Sequence, residues 1–289
     1  MPAETLGRVR KSASGRESFN LAFHGYFLCK KGPGKKLGPS ETIPICLVLV
    51  DGLTCKVMIS VIIPVYNEAD RIQATIQRLL QCDERGLVTE IIVVDGGSSD
   101  DTVSVAESAG VKVLNCPDKG RAAQMNCGAS YAKEKVLYFL HADTFPPPNF
   151  PDYILDALKG GVSSGCFRLA FDYKHWFLKV CSGFTKFNIN AVRFGDQSLF
   201  VTGSAFQASG GFREDLLMME DQEIIHRIKQ YGRFKVMNAA VTTSARKYLD
   251  NGIFRMQAIF CGIWLLYYLG YSQEYLLKMH RKLIKNHKL

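Results

Sequence analysis

Between residues 58 and 160 the chain alternates between apolar runs of strand length and stretches with helical spacing of apolar side chains. Residues 59–65 (ISVIIPV) form the first run, and residues 69–82 carry apolar side chains at helical intervals. Further strands are predicted at 90–94, 111–114 and 136–140, and further helices at 100–109 and 121–132. Strands that are apolar throughout and alternate with helices are typical of a parallel sheet covered on both faces. We therefore predict an α/β, Rossmann-like fold with a mostly parallel sheet flanked by helices.

The first 57 residues do not share this pattern. They are rich in Gly, Lys and Ser and contain the breaker cluster GPGKKLGPS, which predicts a mostly disordered or linker-like extension. Met58 stands directly before the first strand. Two hypotheses follow: the natural chain starts at Met58, or the preceding residues are a transit peptide.

The rest of the chain is expected to divide into a domain at 58–252, with halves at 58–160 and 161–252, and a C-terminal helical segment at 253–289. The long apolar run of this last segment is interrupted by Arg255 and Gln257. A membrane span needs roughly 20 apolar residues, so the run fits a packed or interfacial amphipathic helix better than a span.

The formal net charge of +9 is concentrated at the two ends of the chain. Residues 1–57 contain nine Lys/Arg against four Asp/Glu, and residues 278–289 contain five Lys/Arg and no acid, so the body between them is close to neutral. This distribution argues against a nucleic-acid partner for the globular body. The basic ends allow contact with an anionic membrane, with a solvated basic tail as the alternative.

The nine cysteines include no C-x-x-C pair and no cluster at metal-ligand spacing. An odd number of scattered cysteines indicates reduced thiols rather than a disulfide framework or a structural zinc site. We therefore expect a cytoplasmic protein, with a peripheral contact at the membrane as a further expectation.

Polar residues follow three of the predicted strands, and each group contains a carboxylate. Glu68 follows the first strand, Asp95 the second and Asp143 the fourth. In α/β sheets ligands bind beyond the carboxyl ends of the strands, so these side chains are expected at one rim. Each residue alone also has a structural explanation, since Asp100 is an ordinary helix cap and Glu68 fits a helix start.

This rim predicts a divalent cation and a phosphorylated ligand. Carboxylates such as Asp143 suit Mg²⁺ or Mn²⁺, which commonly bridge to substrate phosphates. Asp95 is placed to accept hydrogen bonds from a base or ribose, and the Gly-Gly-Ser-Ser that follows lets the backbone approach a ligand closely. The chain has no G-x-G-x-x-G after the first strand and no P-loop, which argues against dehydrogenase and ATPase functions.

The segments VIIPVYNEADRI and EIIVVDGGSSDDT resemble the opening of the family 2 glycosyltransferases, inverting enzymes of the glycosyltransferase-A fold. The segments KGRAAQMNCGA, YFLHADT, FGDQSLFV, GGFRE, MEDQEIIHRIKQYGRF and TTSARKY are similar to a bacterial subgroup found near radical-SAM or selenium-related domain proteins. The resemblance covers roughly residues 58–270. It implies a hexosyltransferase with a nucleotide-diphosphate sugar donor, UDP-sugar favoured, bound in the first half of the domain, and an acceptor bound in the second half.

The resemblance also implies roles for individual residues. Asp221 of the Glu220-Asp221 pair matches the catalytic base, and Asp143 matches the last Asp of the family's D-x-D metal motif. The nucleotide-sugar site would be lined by Pro64, Tyr66, Asn67, Glu68, Asp95, Gly96, Gly97, Ser98, Arg121, Ala142 and Asp143. His141 stands in place of the first Asp of D-x-D, either as a second metal ligand or as a residue packed at the strand end.

Three further residues are candidates on the acceptor or leaving-group side. Asp196 and Gln197 are expected at the acceptor, with a structural hydrogen-bonding role as the alternative. Arg246 would add positive charge near the departing diphosphate, unless it forms a structural salt bridge.

Two aromatic groups bear on the acceptor. The first could stack on a sugar or contact a lipid, although core packing is the favoured interpretation; it comprises Phe167, Phe171, Tyr173, Trp176 and Phe177. The second, beside the basic C-terminus, resembles an interfacial aromatic belt; it comprises Trp264, Tyr267, Tyr268 and Tyr271. We therefore expect a lipid-linked or amphiphilic acceptor.

The expected reaction is a metal-assisted single displacement that inverts the sugar. One rival is a nucleotidyltransferase of related fold, but such enzymes carry a Gly-rich, basic loop where this chain has YNEAD. The other is a nucleotide-binding protein without turnover. His141 favours that rival, whereas Asp143 and the Glu220-Asp221 pair argue against it.

Overall fold

The computed structural model of the protein describes residues 57–116, 118, 120–193 and 195–285. The predictions for the N-terminal extension therefore lie outside the described residues, apart from residue 57. The strands are β1 Ile59–Val65, β2 Val88–Asp95, β3 Lys112–Asn115, β4 Val136–Phe139, β5 Thr144–Phe145, β6 Val162–Phe171, β7 Leu199–Thr202 and β8 Arg233–Thr243. The α-helices are α1 Ala69–Gln81, α2 Thr102–Ser108, α3 Arg121–Tyr131, α4 Phe150–Lys159, α5 Trp176–Gly183, α6 Gly203–Ser209, α7 Glu220–Ile228, α8 Arg246–Asn251, α9 Ile253–Tyr268 and α10 Gln273–Leu283. Short 3₁₀ turns lie at Phe184–Lys186, Asn190–Val192, Gly195–Gln197 and Lys229–Tyr231.

The strands form one mixed sheet in the order β3-β2-β1-β4-β7-β6-β8-β5. β1 is parallel to β2 and β4, and β2 is parallel to β3. β7 is antiparallel to both of its neighbours, β4 and β6, and β5 is antiparallel to β8. The predicted α/β class is confirmed, including the C-terminal helices. The parallel arrangement is strongest in the first half, where strand and helix alternate in sequence.

The predicted elements of the first half agree with the structure to within about two residues. β1 has the predicted bounds, and β2 begins two residues before the expected start. α2 begins at Thr102 rather than at Asp100, because the Asp100 carboxylate lies before the helix and accepts a hydrogen bond from the Thr102 N–H at 3.1 Å. The N-cap of α2 is Asp101, whose side chain makes no capping hydrogen bond, so Asp100 stabilises the turn that leads into the helix and is not its cap.

Alternate side chains of β1 point to opposite faces of the sheet, and both faces are buried. Ile59, Val61 and Ile63 pack in a core with helix α1, whereas Ile62 belongs to the core beneath α3. Burial of each such side chain stabilises the fold by about 1.5–3 kcal/mol. Burial on both faces explains why β1 is apolar throughout.

Helix α3 approaches the sheet closely at Gly128. A Cβ at this position would lie 2.5 Å from Cγ2 of Ile62 and 3.0 Å from Cγ2 of Val94. The glycine therefore sets the distance between α3 and the central strands.

Among the described residues, no helix is both long enough and apolar enough to cross a bilayer.

Gly128→Ala is expected to lower the free energy of unfolding by about 1–3 kcal/mol, because the added methyl group overpacks the interface between α3 and β1. Urea denaturation measures this directly. Gly262→Ala is the matched control, since it is also a helical glycine and a Cβ there would meet no atom within 4 Å. The control should be neutral or gain up to about 1 kcal/mol, and an equal gain in Gly128→Ala would contradict the packing argument.

Candidate active site

The loops that follow β1 and β2 are hydrogen-bonded to each other at the carboxyl edge of the sheet. The Asn67 N–H donates to Ser98 Oγ, and the Ser99 N–H donates to Asn67 Oδ1, both at 2.8 Å. Asn67 has a φ of 53°, in the left-handed region that Asn tolerates better than most residues. The two loops therefore form one unit, with Tyr66 exposed beside them.

Asp95 shapes the second of these loops from within. One carboxylate oxygen accepts hydrogen bonds from the N–H groups of Gly97 at 2.9 Å and Ser98 at 3.0 Å, and the other accepts from the Ser98 hydroxyl at 2.5 Å. The side chain is buried. These hydrogen bonds show that Asp95 holds the loop in place. Its contact with a nucleotide base stays a prediction.

Gln124 of helix α3 holds the ends of β1 and β2 together. Its Nε2 donates to the carbonyl oxygens of Val65 and Val94, both at 2.8 Å. A Cβ on Gly96 would lie 2.9 Å from this nitrogen, so the first loop glycine is needed for close approach. Gln124 was not predicted as a functional residue; its only signal in the sequence is a polar residue between the apolar Ala123 and Met125 of the predicted helix.

A cavity of about 430 Å³ lies beside the ends of β1 and β4. It is lined by Asp70, Arg71, Ala74, Thr75, Asp143, Phe145 and Arg246. Arg246 Nη2 lies 3.7 Å from Glu68 Oε1, and the Thr75 hydroxyl donates to the Ala142 carbonyl at 2.5 Å. The structure thus brings the predicted residues Glu68, Asp143 and Arg246 to one place, whereas the Pro64 and Ala142 side chains are buried.

A second group of charged residues joins the first turns of α3 and α7. Arg121 Nη2 lies 2.5 Å from Glu220 Oε1 and 3.4 Å from Asp221 Oδ2. The Glu220 side chain is 1% exposed and that of Asp221 is 14% exposed. Burial raises the pKa of Glu220 and Arg121 opposes this shift. Burial opposes the charged form of Arg121 too, but Glu220 and Asp221 raise its pKa. Asp221 is therefore the accessible carboxylate of the pair.

His141 and Asp196 complete this group. Nδ1 of His141 lies 3.0 Å from Oδ1 of Asp196. A Cβ on Gly195 would lie 2.2 Å from Asp221 Oδ2 and 2.6 Å from His141 Cε1, so the glycine allows both side chains to approach the same point. Partial burial disfavours the Asp196 carboxylate, but the hydrogen bond and charge of His141, with Lys247 and Arg121, lower its pKa. Asp196 is thus part of the site.

Gln197, the neighbour of Asp196, points into the interior instead. Its Oε1 accepts from Arg193 Nη1, and its Nε2 donates to the Val192 carbonyl at 2.6 Å. Arg193 is fully buried and also donates to the Thr185 carbonyl at 2.9 Å. Gln197 therefore has the structural hydrogen-bonding role that the sequence left open. Arg193, which was not predicted as a functional residue, supports the loop that carries Asp196.

The family of this chain is established by its sequence. The model of the family described as "Glycosyl transferase family 2" matches residues 60–213, more than half of the chain. The chain belongs to glycosyl transferase family 2. The matched range includes both rim loops, the residues of β4 that lead to Asp143, and the Asp196 loop.

Relatives of this glycosyltransferase include an uncharacterized glycosyltransferase of Mycobacterium tuberculosis. The two are 32% identical over 185 residues, which cover 61% of this chain and 70% of the relative. An undecaprenyl-phosphate 4-deoxy-4-formamido-L-arabinose transferase of Edwardsiella ictaluri is 32% identical over 111 residues, which cover 36% of this chain and 34% of that protein. This chain therefore matches only about a third of the second relative's length.

A mannosyltransferase from Pyrobaculum calidifontis, solved in complex with GDP-Man and Mn²⁺, has a similar fold. The TM-score is 0.54 at 20% identity, with 70% of this chain and 61% of that chain covered. At this identity the likeness concerns the fold, and it supports the glycosyltransferase-A architecture. In the part of this chain that the structure describes, there is no group of three or more His, Cys, Asp and Glu side chains arranged to hold a metal ion.

Arg121→Met is expected to lower the free energy of unfolding by about 3 kcal/mol, because it leaves Glu220 buried without its counter-charge. Since burial raises the pKa of Glu220, its protonated form favours the folded state. That contribution is complete below the unfolded pKa of about 4.3 and is lost as the pH rises through the folded value. The penalty should therefore be smaller at about pH 5 than at about pH 7, as measured by urea denaturation.

The double variant Arg121→Met/Glu220→Gln is the control for this pH dependence. It removes the buried charge, so it should recover part of the lost stability and show little difference between the two pH values. A single variant as stable as the wild type at both pH values would show that the ion pair does not hold α7 to α3.

Proposed function

We propose that the protein transfers a hexosyl group from a nucleoside-diphosphate sugar to an acceptor hydroxyl with inversion of the anomeric carbon. The observation that carries this proposal is the position of Asp221. It is an accessible carboxylate in the first turn of α7, held beside His141 and Arg121 at the carboxyl edge of the sheet. Ligands of α/β sheets bind beyond the carboxyl ends of the strands, so a general base in this position would lie near the bound substrates.

In the proposed step Asp221 removes the proton of the acceptor hydroxyl while that oxygen attacks the anomeric carbon. The bond from this carbon to the diphosphate oxygen breaks, and the electron pair leaves with the diphosphate. Glu220 does not take part directly, because its carboxylate is buried against Arg121.

A divalent ion, Mn²⁺ or Mg²⁺, fits the residues at the cavity. Asp143 offers a hard oxygen ligand on the cavity wall. His141 is not among the residues that line this cavity; its Nδ1 is engaged by Asp196, so Nε2 is the atom with which it would bind an ion. Diphosphate and water oxygens would supply the other ligands, as is usual for Mg²⁺. When bound, the ion would offset charge on the leaving diphosphate. Arg246 and Arg71 are placed at the same cavity to bind phosphate oxygens.

The division of the domain follows from this assignment. Residues 58–160 supply the donor site and residues 161–252 the acceptor site, with Asp196 close to the base. We favour UDP as the nucleotide, and the radical-SAM or selenium-associated subgroup remains our assignment from the sequence segments. The relative named for undecaprenyl phosphate supports a lipid-linked acceptor, and with it a cytoplasmic enzyme in peripheral contact with the membrane.

Asp143→Ala is expected to abolish the metal dependence of nucleotide binding. Calorimetric titration with UDP, GDP, CDP and dTDP, with and without Mn²⁺, should show metal-dependent binding of one nucleotide to the wild type and a loss of at least about tenfold in the variant. Asp156→Ala is the control, because Asp156 is an exposed carboxylate paired with Lys159. Metal-dependent binding that survives in Asp143→Ala would remove this residue from the proposed metal site.

Asp221→Asn is expected to reduce turnover by about 10²–10⁴-fold while nucleotide affinity stays within about twofold, because the general base acts only in the chemical step. Turnover is measured as release of the nucleoside diphosphate from sugar donors that carry the nucleotide found to bind in the titration. Asp215→Asn is the control, since Asp215 pairs with Arg213 at the surface. A variant that binds and turns over like the wild type would rule out Asp221 as the base.

A further inference from the structure

An unusual number of large apolar side chains are exposed between residues 173 and 189. These side chains are Tyr173, Trp176, Val180, Phe184, Phe187 and Ile189. Trp176, Val180 and Phe184 are spaced four residues apart, so they form one stripe along α5 and the 3₁₀ turn that follows it. Leu178, in contrast, is buried beneath the helix. Core packing, the favoured interpretation from the sequence, therefore holds for Phe167 but not for Trp176, which is 66% exposed.

Helix α9 extends this apolar surface. Uncharged exposed residues recur along α9 with helical spacing, namely Phe254, Ala258, Cys261 and Leu265, and Leu269 follows directly after the helix. The two stripes meet where the Phe254 ring lies 4.7 Å from that of Phe177 and 6.1 Å from that of Trp176. We call the combination of these two stripes the α5–α9 surface.

The charged side chains between residues 173 and 189 are all basic. Residues 173–189 contain three lysines and no Asp or Glu. Lys174, Lys179 and Lys186 are all exposed, and the Lys186 ammonium lies 4.9 Å from the centre of the Phe187 ring. Exposed Trp and Phe side chains mixed with lysines match the boundary between the headgroups and acyl chains of an anionic bilayer.

The same segment connects the α5–α9 surface to the catalytic residues. The Asn190 side chain donates to the Gln222 carbonyl at 3.0 Å, and Gln222 donates from its side chain to the Ala191 carbonyl at 3.3 Å. Gln222 follows Asp221 directly on α7. The chain segment that follows α5 therefore contacts α7 next to Asp221 and then continues to Asp196. A bilayer docked against α5 would lie on the same side of the protein as this segment.

We propose that the α5–α9 surface docks on a bilayer that contains anionic lipids and thereby presents the acceptor site to an amphiphilic, membrane-bound acceptor. The acceptor part of the proposal rests on the proposed glycosyl transfer. The docking itself does not, because it depends only on exposed apolar and basic side chains.

The test is co-sedimentation of the full-length protein with vesicles of phosphatidylcholine alone or mixed with phosphatidylglycerol. Wild-type protein is expected to bind the mixed vesicles and to bind phosphatidylcholine weakly. Trp176→Ser/Phe184→Ser and Lys174→Gln/Lys179→Gln/Lys186→Gln should each weaken binding by about tenfold or more. Leu80→Ser/Tyr231→Ser and Lys133→Gln/Lys135→Gln/Lys159→Gln are matched controls, because they change exposed side chains on other elements.

Tryptophan fluorescence identifies the surface that docks. The chain has two tryptophans, so Trp264→Phe leaves Trp176 as the only reporter. Its emission should shift to the blue with mixed vesicles and stay unchanged with phosphatidylcholine. Co-sedimentation without a shift, or equal binding by the α5 variants and the controls, would overturn the proposal.

Two further outcomes separate this proposal from others. A dimer in light scattering that dissociates in Trp176→Ser/Phe184→Ser, without vesicle binding by the wild type, would assign the surface to a second copy of the chain and overturn the proposal. Asp221→Asn should dock like the wild type. Normal docking without any nucleotide binding would therefore refute the proposed transfer alone, and normal nucleotide binding without docking would refute this inference alone.

Discussion

One face of helix α3 connects the parts of the site. Arg121, Gln124 and Gly128 follow one another at spacings of three and four residues, so they lie on the same side of the helix. Gly128 lets that side approach the sheet, Gln124 then reaches the carbonyl groups at the ends of β1 and β2, and Arg121 binds the first turn of α7. The position of Asp221 relative to the rim loops therefore depends on how closely α3 packs.

The charges around the cavity explain why a cation belongs in the proposed reaction. Two arginines, Arg71 and Arg246, line the cavity together with two carboxylates, Asp70 and Asp143. A diphosphate entering this cavity would meet no net positive charge from these four side chains. Under the proposed function, a divalent ion at Asp143 would supply that charge next to the leaving group, where it would stabilise the transition state more than the ground state.

The first half of the fold was largely predictable from sequence because β1 and β4 are buried throughout and β1, β2 and β3 are each followed by a helix. The short strand β5 and helix α4, which follow β4, were not predicted. Periodicity carries no information about β7, which lies antiparallel between β4 and β6 and breaks the parallel order. Local motifs located the carboxylates of the rim. They did not reveal the pairs Arg121–Glu220 and His141–Asp196, which join residues 99 and 55 positions apart. The need for a glycine at position 195 likewise becomes evident only in the structure, where the Asp221 and His141 side chains lie against it.

The two polar residues that interrupt the apolar run of α9 bind this helix to neighbouring helices. Arg255 donates to the Leu283 carbonyl at 2.7 Å, and Gln257 accepts a hydrogen bond from the Tyr248 hydroxyl at 3.0 Å. Arg255 therefore contacts α10, and Gln257 contacts α8. The exposed stripe from Phe254 to Leu269 stays free of charge as a result. A helix of this kind is too short to span a bilayer of roughly 30 Å, but it can lie along the bilayer surface with its apolar side toward the lipid.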